Sequence, residues 1–209
     1  MARVARSQLR EAQRQLTHER LLEAAQAEFA ERGYVAARVD DIATRAGATR
    51  ATFYLHFGSK TDVILELLDR GRADFHPLWD QLAELPRRPS REQVRAWVEA
   101  AARVWERSAA RTRVVVQAIA ADPALSATQD QRVQTEVDLL VAATRHMGWA
   151  DDAHARLECL LLFAQLERTF HLWSFGDEAD HDERVLDILT ENWWAAFRRA
   201  DEMAPRDDS

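Results

Sequence analysis

The chain has 209 residues, 47% apolar and 30% charged, a balance that fits a folded globular protein and excludes a disordered or fibrous one. Its single cysteine, Cys159, excludes an internal disulfide and a cysteine-built zinc site. It has no apolar run of about 18 residues and no signal-peptide core, so a cytoplasmic protein with no membrane partner is expected. The net charge of −7 divides into +3 over residues 1–60 (ten basic, seven acidic) and −10 over residues 61–209 (eighteen basic, twenty-eight acidic), as for a head that meets a polyanion on an acidic body.

In chain order, residues 1–15 hold Arg3, Arg6, Arg10 and Arg14 against one acid, Glu11. They read either as a flexible basic arm that adds phosphate or minor-groove contacts or as a solvated terminus. Helical spacing then runs from Thr17, a possible N-cap, to Arg32, with Leu21, Leu22, Ala25 and Phe29 on one face, and stops at Gly33-Tyr34. Val39, Ile42, Ala43 and Ala46 predict a short second helix ending at Gly47. Thr49 caps a third, in which Phe53 and Phe57 face inward while Arg50, Thr52, Tyr54 and His56 occupy other faces. Ser59-Lys60-Thr61-Asp62 is a capping pattern that opens a long fourth helix carrying Val63, Leu67 and Leu68 and running through Phe75 towards Pro77 and Trp79. Two short helices about a glycine turn, with inward aromatics under outward hydrogen-bonding side chains, form a helix-turn-helix able to enter a DNA major groove.

Pro86 and Pro89, with Arg87 and Arg88 between, mark a loop, and Ser90 caps a helix with Val94, Trp97, Val98, Ala101, Val104 and Trp105. A separate shorter segment is expected from Val114 to Ala121, ending before Pro123. A further helix over roughly 124–147 carries Val133, Val137, Leu140, Val141 and Thr144 and stops at Gly148. Residues 152–175 are apolar nearly all round at Leu160–Ala164, so this helix must be covered on all sides. The last helix, about 182–200, carries Val185, Leu186, Leu189, Trp193, Trp194 and Phe197. The expected architecture is all-α, with about nine helices.

No catalytic constellation appears. Histidines 18, 56, 76, 146, 154, 171 and 181 are scattered, with no His-Glu-x-x-His pair and no glycine-rich phosphate loop, and no cofactor is called for. The acidic stretch 177–183 with His181 reads as a solvated connection rather than a cation site, and no metal is expected. Cys159 reads as a buried small apolar residue rather than a redox switch.

Ala25, Phe29, Gly33, Tyr34, Ile42-Ala43, Ala46-Gly47, Thr52-Phe53-Tyr54, His56-Phe57 and Ser59-Lys60 stand in the register of the tetracycline-repressor-type (TetR) family of transcription regulators, which this stretch resembles. Arg38, Ala51 and Leu55 depart from it, standing where Ser or Thr, Gly, and a larger polar or aromatic residue are common. The resemblance implies a three-helix DNA-binding head at 1–60, with 1–15 the arm, and a ligand-binding and dimerisation body at 61–209. It implies a homodimer on a pseudo-palindromic double-stranded DNA operator, acting as a repressor released by a small-molecule effector. An activator, an effector-independent regulator, or a small-molecule-binding protein or enzyme using the body is the alternative.

Carried over residue by residue, the resemblance assigns DNA contact to Thr17, Arg45, Thr49, Arg50, Ala51, Thr52, Tyr54, Leu55, His56 and Lys60. Of these, Arg50 could pair with guanine or touch only the DNA backbone, Thr52 and Tyr54 read equally as base or phosphate contacts, and Thr17, Arg45 and Lys60 are phosphate contacts. It places the dimer interface on the last two helices, with Leu157, Leu161, Ala164, Leu189, Trp193 and Phe197 as contacts or, equally, as intramolecular core. Glu167-Arg168-Thr169-Phe170, Phe175-Gly176 and Val185-Leu186-Asp187 resemble in part the ethionamide-activation repressor branch, whose pocket is long and apolar, and Leu166 stands where that branch has a polar residue. Trp97, Val98, Ala101, Trp105, Phe163, Leu166, Phe170 and Trp173 would then line a cavity for an apolar or aromatic effector, or form plain core.

Overall fold

The computed structural model describes residues 2–149, 153–173 and 183–203. Among them run eight α-helices and no strand: α1 Ala2–Arg32, α2 Val39–Arg45, α3 Arg50–His56, α4 Lys60–Ala83, α5 Arg91–Ala121, α6 Pro123–Thr144, α7 Ala153–Trp173 and α8 Glu183–Met203. A 3₁₀ turn, Arg145–Met147, follows α6. No helix among the described residues is long and apolar enough to cross a membrane. The acidic stretch 177–182, with His181, and Phe175-Gly176 lie outside the described residues.

Two helices are longer than the periodicity predicts. α1 begins at Ala2, because residues 2–16 are mostly Ala, Arg, Gln, Leu and Glu with no Gly or Pro to stop a helix. Thr17 is therefore an interior residue, and its hydroxyl donates back to the Gln13 carbonyl at 2.9 Å instead of capping. α5 is continuous from Arg91 to Ala121, with no break at Val114, because glycine and proline are absent throughout. It ends at Asp122-Pro123, where proline at the first position of α6 has no N–H to lose and Asp122 Oδ1 accepts from Ala124 N at 3.0 Å.

The chain packs as two compact units, Met1–Arg70 with Ala110–Ser126, and Gly71–Ala109 with Ala127–Ser209. In the first, Leu21, Ala25, Phe29, Ile42, Phe53, Val63 and Ile64 form the core, and Val114, Val115, Ala118 and Leu125 belong to the same cluster. The end of α5 and the start of α6 are thus part of the head's own core. Tyr34 Oη bonds Thr61 Oγ1 at 3.1 Å and donates to Asp122 Oδ2 at 3.5 Å, so the cap residue of α6 also fastens the α1–α2 connection.

In the second unit the core is aromatic. Trp193 is fully buried, with its ring 4.6 Å from Trp97 and 5.9 Å from Phe197 between centroids, and Trp105 lies 5.5 Å from Phe170. The indole N–H of Trp79 donates to Glu136 Oε2 at 2.9 Å, and Arg72 Nε donates to the other oxygen at 2.8 Å. A carboxylate this buried is tolerable only when so paired. Cys159 is fully buried, and burial pushes its thiol up to about 12, which makes it an inert packing residue.

Candidate nucleic-acid interface

The helix-turn-helix is fixed by local hydrogen bonds. Gly47 has φ +66°, Gly47 N donates to Thr44 O at 3.0 Å and Ala48 N to Ala43 O at 2.8 Å, the paired bonds that close a helix through a left-handed residue. Thr49, with extended backbone, accepts from Thr52 N at 3.1 Å and so caps α3. Arg38 occupies the N-cap of α2 with no side-chain cap bond, as its departure from Ser or Thr implies. Phe53 and Phe57 anchor α3 to the core, and the Phe57 ring stacks on His18 of α1 at 4.6 Å.

Anchoring those two aromatics turns Arg50, Ala51, Tyr54 and Leu55 to solvent. The Arg50 guanidinium lies over the Tyr54 ring, 5.4 Å from its centroid, and Arg50 Nη1 donates to Asp40 Oδ2 at 2.8 Å. Arg50 Nη2 donates to the Tyr54 hydroxyl at 3.4 Å, so Asp40 and Tyr54 hold both terminal nitrogens, and each nitrogen keeps one further N–H for an acceptor such as a guanine edge. Thr49 is exposed, Thr52 is half-buried and its hydroxyl bonds that of Thr49 at 2.9 Å. His56 is half-buried with its ring 5.5 Å from His18; burial, then the neighbouring His18 and Arg14, hold its pKa below the usual histidine value.

Two of the cations assigned to phosphate have structural partners. Arg45 Nε meets Glu28 at 2.8 Å and its Nη2 meets Glu31 at 2.5 Å; Glu28 is buried, and Arg32 at 3.0 Å is its other cation. Lys60 Nζ donates to the carbonyls of Tyr34 (2.8 Å), Ala37 (2.7 Å) and Val35 (3.3 Å), and lies 4.9 Å from the Tyr34 ring centroid. Burial lowers the Lys60 pKa. It therefore clamps the connection that leads into α2. Thr17 sits half-buried on α1.

Three neighbours of this surface escape sequence reasoning: Asp40, His18 and Asp122. Asp122-Pro123 is a readable helix start, but nothing local announces that its carboxylate reaches Tyr34. Asp40 and His18 act on residues 10 and 38 positions away, a distance that periodicity does not span.

The residues assigned to the body separate by burial. Leu189, Trp193 and Phe197 lie in the core of their own unit, while Leu157 and Leu161 are 58% and 69% exposed and Ala164 is exposed beside them. Trp97, Val98, Ala101, Leu166 and Phe170 are buried in that unit's aromatic cluster, with Trp105, Phe163 and Trp173 partly buried against it. The indole nitrogen of Trp105 is buried and has no hydrogen-bond partner among the described residues.

A capped seven-residue helix held by two buried aromatics behind a Gly47 turn, with an arginine-tyrosine face outward, defines a helix-turn-helix DNA-binding head. Residues 21–67 match the family described as "Bacterial regulatory proteins, tetR family", and this head belongs to that family. The chain is 41% identical over 68 residues to the HTH-type transcriptional regulator YdgC of Bacillus subtilis, covering 32% of this chain and 33% of that protein. It is 48% identical over 50 residues to the HTH-type transcriptional activator FasR of Mycolicibacterium smegmatis, covering 24% of this chain and 23% of that protein. The matches thus span a third or less of these relatives. The fatty acid degradation regulator FadR of Bacillus halodurans has a similar fold, with a TM-score of 0.65 at 20% identity over 87% of this chain and 94% of that one.

Proposed function

We propose that the chain is a homodimeric, cytoplasmic transcription regulator, a repressor that leaves a pseudo-palindromic operator when an apolar or aromatic effector binds the body. The observation that carries this reading is the outward face of α3, where Arg50 and Tyr54 stand preassembled on a helix rigidly held by Phe53 and Phe57. One seven-residue helix reads few base pairs, so two copies on paired half-sites are needed for useful specificity. Leu157, Leu161 and Ala164 on α7, with Ile188 on α8 at 57% exposed, supply the dimer face. The second unit's aromatic cluster supplies the effector site, and the buried indole nitrogens of Trp105, Trp149 and Trp193, without a hydrogen-bond partner among the described residues, favour an effector that carries acceptor atoms on an apolar frame. The effector acts only to the extent that it binds the DNA-competent and released states unequally.

The test is selection of bound duplexes from a random-sequence pool, followed by titration of the recovered duplex at two salt concentrations. A palindrome bound with a steep salt slope is the expected result. Weak binding that is blind to sequence at low salt overturns the reading.

A further inference from the structure

The four exposed residues of α3 divide into two flanks. At 100° per residue, Arg50 and Tyr54 stand about 40° apart on one side, and Ala51 and Leu55 about 40° apart on the other, the whole face spanning about 140°. The first flank is a guanidinium and a phenol; the second is apolar, with Leu55 76% exposed and no polar atom on either side chain. A single exposed leucine is ordinary on a protein surface. This one is different in its setting, because it shares its helix face with the preassembled Arg50–Tyr54 pair and has the short Ala51 one turn before it, which leaves room for a surface to approach closely.

Resting on the DNA-binding reading above, we propose that Leu55 is a specificity-determining residue that recognises the 5-methyl group of a thymine in each operator half-site, with Ala51 giving the clearance. The thymine methyl is the apolar group that the major groove displays among its hydrogen-bonding edges. A flank made only of Ala and Leu side-chain carbon has nothing to accept from a donor, so the amino group that cytosine or adenine displays at that position is rejected by desolvation as well as by loss of the methyl contact. Arg50 supplies polar readout on one side of the helix and Leu55 apolar readout on the other.

The experiment replaces thymine by deoxyuridine, one position at a time, in the duplex recovered by selection; this removes the methyl and leaves the pairing edge intact. Wild-type protein is expected to lose about three- to tenfold in affinity at one position in each half-site, as burial of one methyl group implies. Leu55→Ala is expected to bind the thymine and deoxyuridine duplexes equally, and Leu55→Met to restore the preference. Sequence-specific binding by the wild type with no deoxyuridine-sensitive position, or an unchanged preference in Leu55→Ala, overturns this inference and leaves the DNA-binding reading standing. Loss of self-association in Leu55→Ala with an unchanged thymine preference also overturns it, by placing Leu55 against another copy of the chain. Absence of any sequence-specific binding by the wild type overturns both.

Discussion

Arg50 Nη1 lies 2.8 Å from Asp40 Oδ2, so α3 and α2 share an ion pair across the turn at Gly47. Both side chains are more than half exposed (58% and 53%), and the pair contributes little to folding, about 0–1 kcal/mol. On the proposed function its consequence is for DNA: Asp40 restrains the guanidinium but places a carboxylate on the surface proposed to approach phosphates. Asp40→Asn is expected to leave the melting temperature nearly unchanged and to raise affinity for any duplex several-fold. The gain is larger for a shuffled sequence than for the selected one, so the ratio between them falls. Parallel titrations of the two duplexes measure that ratio.

Asp122 holds three groups at once: Ala124 N at 3.0 Å, the Thr61 hydroxyl at 3.3 Å and the Tyr34 hydroxyl at 3.5 Å. Asp122→Ala removes a helix cap and leaves one of the two hydroxyls short of an acceptor, since Tyr34 and Thr61 still bond each other, a loss of about 1–3 kcal/mol. Asp122→Asn keeps an oxygen for the cap and is expected to cost less than half as much. Thermal unfolding of the three proteins in one buffer compares them directly.

What the sequence makes legible here is what is encoded within a few residues. The inward pair Phe53 and Phe57, the turn at Gly47 and the caps at Thr49 and Ser59 follow from spacing and cap chemistry, and all stand in the structure. The start of α1 at Ala2 and the unbroken run of α5 to Ala121 are also local, but they rest on the absence of breakers rather than on an apolar stripe, a weaker signal. Long-range pairing is not legible: Arg45 meets Glu28 and Lys60 meets three carbonyls because the fold brings them together. The same holds for α7 and α8, where apolar residues abound but only packing decides that Trp193 turns inward and Leu161 outward.

That division gives a paired prediction. Leu161 is 69% exposed and Trp193 fully buried. Leu161→Glu is expected to leave the fold intact and to convert the proposed dimer to monomers in sedimentation at micromolar concentration, since a charge on a facing apolar surface cannot be solvated. Trp193→Ala opens a cavity beside Trp97 and is expected to destabilise by about 3–5 kcal/mol, visible as a large fall in melting temperature. A dimer that survives Leu161→Glu places the interface elsewhere.

Acid sensitivity has a named source in the head. Arg70 grips Glu19 with two bonds, at 2.6 and 2.7 Å, and Glu66 at 2.8 Å. The bond from Arg70 holds the Glu19 carboxyl below its usual value, against a smaller opposing push from burial. Because the folded pKa is the lower one, the stabilisation is fully present above the unfolded carboxylate value and is lost as pH falls through the folded one. The groups are partly exposed, so the effect is modest. Arg70→Met is expected to lower the melting temperature at pH 7 and to flatten its decline as pH falls through the carboxylate range.

Gly148 and Gly47 both have positive φ, +103° and +66°, but their surroundings differ. A Cβ at Gly47 meets nothing within 4 Å, so Gly47→Ala carries backbone strain alone, about 1–2 kcal/mol. A Cβ at Gly148 would stand 2.9 Å from the Ala200 carbonyl oxygen and 3.0 Å from Asp201 Cα, both on the backbone of α8, which cannot swing aside as a side chain can. Displacing it also disturbs Asp201, whose carboxylate takes Arg87 at 2.9 Å and Arg88 at 2.6 Å. Gly148→Ala is therefore expected to cost well over the strain alone, about 3 kcal/mol or more. The two variants should also fail differently. Gly47→Ala tilts α3 against α2, so it should weaken binding to the selected duplex at temperatures where the protein is fully folded. Gly148→Ala should bind as the wild type does until it unfolds. Duplex titration at 15 °C, set beside the melting curves, separates the two effects.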